Sequence, residues 1–232
     1  MRFYIIILSL LMMLFYSVSF TQTYGYDKEY QKKLEESGVE INDAQKQKVR
    51  NDISKWANFY LDKHYQYNEK ATLTHPTSKE KKTFRFDCSG YVAAVYWTSN
   101  IAVFEKQAIL DSGGVKTIYS TLSKYKKIYK GVLPNVGDII MFDKTTSDDK
   151  KLTHAGIVIE VDKKDETVTY IHASTSKGLI IGYMNLKYPD LARKDGKIIN
   201  SALKRGGGVS SLASHCFNSY GTILDIPENN NL

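Results

Sequence analysis

The chain has only two cysteines among 232 residues, Cys88 and Cys216, and neither has a Cys-x-x-Cys partner or a His at zinc-ligand spacing. That scarcity excludes a disulfide-built scaffold and argues against a structural zinc site. No repeat, low-complexity segment or compositional break marks a second globular unit, so a single core of catalytic-domain size is expected. Charge of one sign is gathered nowhere. The formal net charge is +7, but lysine pairs such as Lys32-Lys33, Lys126-Lys127 and Lys163-Lys164 are scattered, and no basic-aromatic module for nucleic acid is found. Dispersed lysines suit a solvated surface with weak attraction to an anionic cell envelope.

The one long apolar run covers residues 3–20, follows Arg2, and is interrupted only by serines. It predicts a secretory signal over residues 1–20, or an uncleaved membrane anchor through residues 3–20, since the run approaches the length of a membrane helix. Either reading places the domain in the periplasm or outside the cell. No cysteine lies in this segment to carry a lipid. Residues 21–41 read as a polar lead-in and 42–228 as the folded domain.

Within that domain, Val49, Ile53, Trp56, Ala57 and Tyr60 recur at helical steps, so a helix is predicted from Asn42 to Asp62 with Asn42 or Asp43 as cap. Residues 66–83 read as a polar loop. A second helix is predicted from Cys88 to Trp97 and a third from Gly114 to Lys127. From Pro134 onward the pattern changes to short strands at 139–142, 155–161, 167–172 and 179–184, with a hairpin tip at 162–166 and a last strand near 220–226.

The segment Phe86-Asp87-Cys88-Ser89-Gly90-Tyr91-Val92 places a cysteine where a helix begins. Unpaired N–H groups and the positive end of the helix dipole favour a thiolate there, and Asp87 or Ser89 can cap the turn. A small buried structural cysteine is the competing reading. Two histidines border strands, His154 in Thr153-His154-Ala155-Gly156 and His172 in Ile171-His172-Ala173-Ser174. Taken as equidistant from a hairpin centre at Lys163, they become cross-strand neighbours. A base oriented by a second polar residue and facing a helix-borne thiol is what Cys-His nucleophilic catalysis requires. Zinc held by Cys88, His154 and His172 has suitable ligand types but no short-spaced pair. Catalysis by Cys88 and a disulfide to Cys216 exclude each other, so Cys88 is expected as a free thiol.

In order along the chain, Asp87-Cys88-Ser89-Gly90-Tyr91-Val92, Pro134 with Gly137-Asp138-Ile139-Ile140-Met141-Phe142, His154-Ala155-Gly156-Ile157-Val158 and Ile171-His172-Ala173-Ser174 resemble the motifs of the NlpC family of cell-wall cysteine endopeptidases. The resemblance covers about residues 50–180. It implies an α+β, papain-like fold with helices packed on a central antiparallel sheet, Cys88 as nucleophile, His154 as general base and His172 as the residue that orients it. It also implies a peptidoglycan stem peptide as substrate, cleaved between D-glutamate and a diamino acid, with no metal or cofactor. A family tyrosine implicated in the oxyanion hole is matched by Tyr65, with Tyr67 as its rival, although the family's glycines beside it are absent here. Related alternatives are an amidase cutting the sugar-peptide bond, an acyltransferase, and a non-catalytic wall-binding module on the same fold. The tail from about 185 to 232 matches no part of the family pattern.

Overall fold

A computed structural model describes residues 42–107, 113–147 and 150–227. The expected signal or anchor over 1–20 and the lead-in over 21–41 lie outside the described residues.

Helix α1 spans Asp43–Asp62 and starts where its sequence asks it to: the Asn42 side chain accepts from the Gln45 backbone N–H while Gln45 reaches back to the Asn42 N–H. This reciprocal capping box satisfies two donors that the first turn leaves open. Residues 66–83 are not a loop. They contain most of a hairpin, β1 (Lys70–Thr74) with β2 (Lys81–Arg85), in which Leu73 and Phe84 are buried and Thr72 bonds Thr83 on the open side. With a single buried residue per strand, the segment carries almost no apolar signal.

Helix α2, Cys88–Thr98, is buried along its whole length. A helix apolar on all sides belongs in the centre of a domain, and α2 packs against α1, β2, helix α3 (Gly114–Lys124) and the sheet. That sheet has six strands in the order β3-β10-β4-β5-β6-β7, every neighbouring pair antiparallel: β3 (Ile128–Tyr129), β4 (Ile139–Phe142), β5 (His154–Asp162), β6 (Thr167–Ser174), β7 (Gly178–Asn185) and β10 (Phe217–Gly221). Between β7 and β10 come the small hairpin β8 (Arg193–Lys194) with β9 (Lys197–Ile198) and the one-turn helix α4 (Ala213–Cys216).

Strand alternation divides the interior in two. Met141, Ile157 and Ile171 face the helices, whereas Ile140, Val158 and Tyr170 face a second core closed by Ala213 and Cys216 of the tail. The tail therefore covers the back of the sheet. It also runs along the outer edge of β7, where Ser201 exchanges bonds with Tyr183 and Asn200 accepts from the Asn185 N–H, shielding an edge that would otherwise offer unpaired backbone groups. Cys88 lies in the first core and Cys216 in the second, and both are thiols.

The helices and the sheet are joined by a buried ion pair. Arg50 of α1 donates to Asp138 at 2.8 Å and to the Val136 carbonyl, while the second oxygen of Asp138 accepts from the Tyr129 hydroxyl and the Asn135 N–H. Gly137 between them holds φ +88° with its Cα hydrogen toward the Arg50 backbone, a left-handed conformation that favours glycine.

Candidate active site

The site is built where α2 begins. Asp87 is its N-cap: Oδ1 accepts from the backbone N–H of Ser89 (2.9 Å) and Gly90 (2.8 Å) and from the Ser89 hydroxyl (2.8 Å). The other oxygen faces Arg85 at 3.5 Å. Cys88 is the first helical residue and is buried. The backbone N–H groups of Ala155, Ser89 and Cys88 itself point at its sulfur. Because Ala155 directly follows His154, this contact brings the thiol to the head of β5.

His154 is the first residue of β5, paired with Phe142 of β4, and its ring lies 6.2 Å from that of Phe142. Its Nε2 is hydrogen-bonded to Nδ1 of His172 on β6 at 2.7 Å, with the two rings perpendicular. The expected neighbours do meet, but the register differs from a simple mirror about Lys163. His172 lies opposite Gly156, two residues along from His154, because the turn is centred between Lys164 and Asp165 and not on Lys163; a bulge between Val158 and Glu160 adds a residue to β5 and brings His172 one step back toward His154. The pair is thus diagonal on one face. Gly156 makes this approach feasible, since a Cβ there would lie 2.7 Å from the Ile171 carbonyl and 3.2 Å from the His172 Cβ.

Burial sets the charge state. It pushes the Cys88 thiol up to about 12, with the Asp87 carboxylate adding to the effect and the three N–H groups opposing it. Burial also lowers His154 to about 4 and His172 well below its ordinary value, the latter helped by its histidine neighbour. The helix N-terminus is expected to favour a thiolate; desolvation outweighs it, and at rest both the Cys88 thiol and the His154 imidazole are neutral.

This has a consequence for stability. A histidine whose folded pKa lies below its ordinary 6.5 contributes stability that is present above pH 6.5 and is lost as pH falls toward the folded value. For His154 alone the loss between pH 6.5 and 4 amounts to about 3 kcal/mol. Thermal unfolding should therefore show a falling Tm over that range in the wild type and a shallower fall in His154→Gln; equal slopes would refute a buried neutral imidazole.

The two tyrosines separate. Tyr65 stacks on Phe86, centroids 4.0 Å apart, and also contacts Tyr60. Tyr67 is the one beside the thiol: its hydroxyl is held above its ordinary value by burial first and then by the nearby Cys88 and Asp87. The reason is a short extension of the hairpin ladder, in which Asn68 donates to Phe86 and Phe86 to Glu69. That pairing carries residue 67 to the Cys88 end and turns residue 65 away. Tyr67 is the rival that the family pattern offered; Arg85, which faces Asp87, carries no signal in the sequence beyond standing three residues before Cys88. Among the described residues, no group of three or more His, Cys, Asp or Glu is arranged to hold a metal ion.

A helix-borne thiol set at the head of a strand that begins with a histidine, with the helix packed on an antiparallel sheet, defines a papain-like α+β protein. The NlpC/P60 family model matches residues 62–193, more than half of the chain, and the protein belongs to that family. The family is one of cell-wall peptidases, in general cysteine-dependent hydrolases, that act on peptidoglycan-derived substrates. No curated protein and no solved structure matches the chain.

Proposed function

We propose that the protein is a secreted or periplasmic cysteine peptidase that hydrolyses peptidoglycan stem peptides between D-glutamate and a diamino acid, with Cys88 as nucleophile, His154 as base and His172 as its orienting partner. The observation that carries the reading is the 2.7 Å bond from His154 Nε2 to His172 Nδ1 on the strand whose next residue, Ala155, points its N–H at a thiol heading a helix. With Nε2–H donating to His172, Nδ1 of His154 carries the lone pair that accepts the Cys88 proton. The sulfur attacks the peptide carbonyl as that proton leaves, and the resulting imidazolium protonates the departing amine. Water, deprotonated by the same imidazole, then releases the acyl group. Starting from a neutral thiol, proton transfer accompanies attack and does not precede it.

Tyr67 stands as the side-chain donor to the developing oxyanion, beside the Cys88 N–H. Removing one such donor lowers kcat by about 10²- to 10³-fold. Tyr67→Phe is expected to show that loss, with Tyr65→Phe near wild type, in steady-state assays on a stem-peptide substrate; the reverse order would return the role to Tyr65.

Digestion of purified peptidoglycan followed by mass spectrometry of the soluble products tests the reaction. Stem-peptide fragments cut after D-glutamate support the proposal, and intact stems freed from sugar would replace it with an amidase. No product from several wall types would remove both.

A further inference from the structure

Among the described residues, the hydroxyl of Tyr170 is buried with no hydrogen-bond partner. Other buried tyrosines donate, as Tyr96 does to the Gly137 carbonyl and Tyr129 to Asp138. An orphaned hydroxyl costs stability, so hydrogen bonding does not explain a ring of this size here. Its surroundings do. The Tyr170 ring lies 5.3 Å from the His172 ring and 5.3 Å from that of Phe142, which in turn contacts His154.

Space for the ring exists only because two neighbouring strand positions are glycine. Gly182 is the partner of Tyr170 on β7, and a Cβ there would lie 2.5 Å from Cζ and 2.7 Å from the hydroxyl oxygen. A Cβ at Gly156 on β5 would lie 3.0 Å from Cδ2. The ring thus sits in a slot across three strands, against the imidazole that grips His154. From β4 and β7 the pair is faced by Phe142 and Ile180, the titratable group packed against it is Tyr170 on β6, and Cys88 on α2 faces the backbone N–H of Ala155, next to His154.

We infer that Tyr170 is a positioning residue: its ring, seated between Gly156 and Gly182, holds the His172 imidazole against His154, and its hydroxyl is dispensable. The inference rests on the peptidase reading above. Without the ring, the glycine-lined slot gives His172 room to swing off its partner, and a misplaced orienting group is enough to cost about 10²-fold in rate.

The test compares wild type, Tyr170→Phe and Tyr170→Leu by ¹⁵N NMR titration of the histidine rings, by kcat and KM on a stem peptide, and by Tm. Tyr170→Phe should keep the wild-type titration, stay within about twofold in rate and gain Tm, since it loses only the orphaned hydroxyl. Tyr170→Leu should lower kcat by about 10²-fold with KM little changed, and its His154 titration should move up toward 6.5. If Tyr170→Leu does not fold, Gly182→Ala displaces the ring from the same slot and should move titration and kcat the same way. A lower Tm with unchanged titration and kcat would reduce the ring to packing and overturn the inference, as would Tyr170→Phe behaving like Tyr170→Leu. The NMR readout needs no turnover, so an inactive wild type would sink the peptidase reading while leaving the positioning claim separately testable.

Discussion

Cys88→Ala should abolish stem-peptide hydrolysis, a loss of about 10⁴-fold or more, and His154→Ala should cost about as much. The two act as one unit, so the double variant should be no worse than either alone; losses that multiplied would mean that they serve separate steps. Chemical modification reports the state of the pair without any substrate. Alkylating reagents attack the thiolate, and burial has pushed this thiol up to about 12. Modification of the free enzyme by iodoacetamide should therefore be slow at pH 7 and rise about tenfold per pH unit through pH 9, as the thiolate fraction does. A preformed thiolate-imidazolium pair would instead give a fast plateau from the acid side upward. That outcome would show the helix N-terminus prevailing over desolvation and would reverse the order of proton transfer and attack.

The second large effect is on stability. Asp138→Ala should cost about 3–5 kcal/mol, because it leaves the guanidinium of Arg50 buried without its carboxylate. Tyr129 and the Asn135 N–H lose their acceptor in the same step. Urea denaturation measures the loss, and a cost below about 1 kcal/mol would mean that the pair is not what fastens α1 to the sheet. Replacing both partners by apolar residues of similar size, Arg50→Met with Asp138→Leu, should recover part of the stability, since two desolvated charges are then removed together. Activity should follow the folded fraction in these variants, as neither residue touches the thiol or the histidines.

What could be read in advance divides by physical cause. Helices α1 and α3 are legible from apolar residues at helical steps, α2 and strands β4 to β7 from their apolar runs, and α1 even announces its cap in Asn42 and Gln45. Cys88 at the start of α2 followed from the apolar run behind it. The β1–β2 hairpin escaped because Thr72 and Thr83 face outward and only Leu73 and Phe84 are buried. β3 escaped for another reason: its partner is distant in sequence and Ile128-Tyr129 is too short to show a period, while the last strand, expected near 220–226, lies a few residues earlier at Phe217–Gly221. The histidines do meet, in a register displaced from the mirror about Lys163, since nothing in Asp162-Lys163-Lys164-Asp165-Glu166 marks where the turn is centred. That Tyr67, and not Tyr65, lies near the thiol depends on the backbone pairing of residues 68 and 69 with Phe86, which the sequence does not display. Asp138 lay inside a recognisable motif, yet its partner Arg50 is 88 residues away.

The order of strands carries a kinetic consequence. β10 is among the last residues described, yet it lies inside the sheet, bonded to β3 on one side and β4 on the other. A ribosome delivering the chain from its N-terminus supplies β4 to β7 well before the strand that seals them. Until residues 217–221 arrive, β4 has an open edge and the second core lacks Tyr220. Closure then requires a loop of some 75 residues, the kind of distant pairing that slows folding. Sheet completion is consequently a late and largely all-or-none event, and a chain cut at the end of the family-matched segment, residue 193, would be expected to expose a strand edge and associate with other copies.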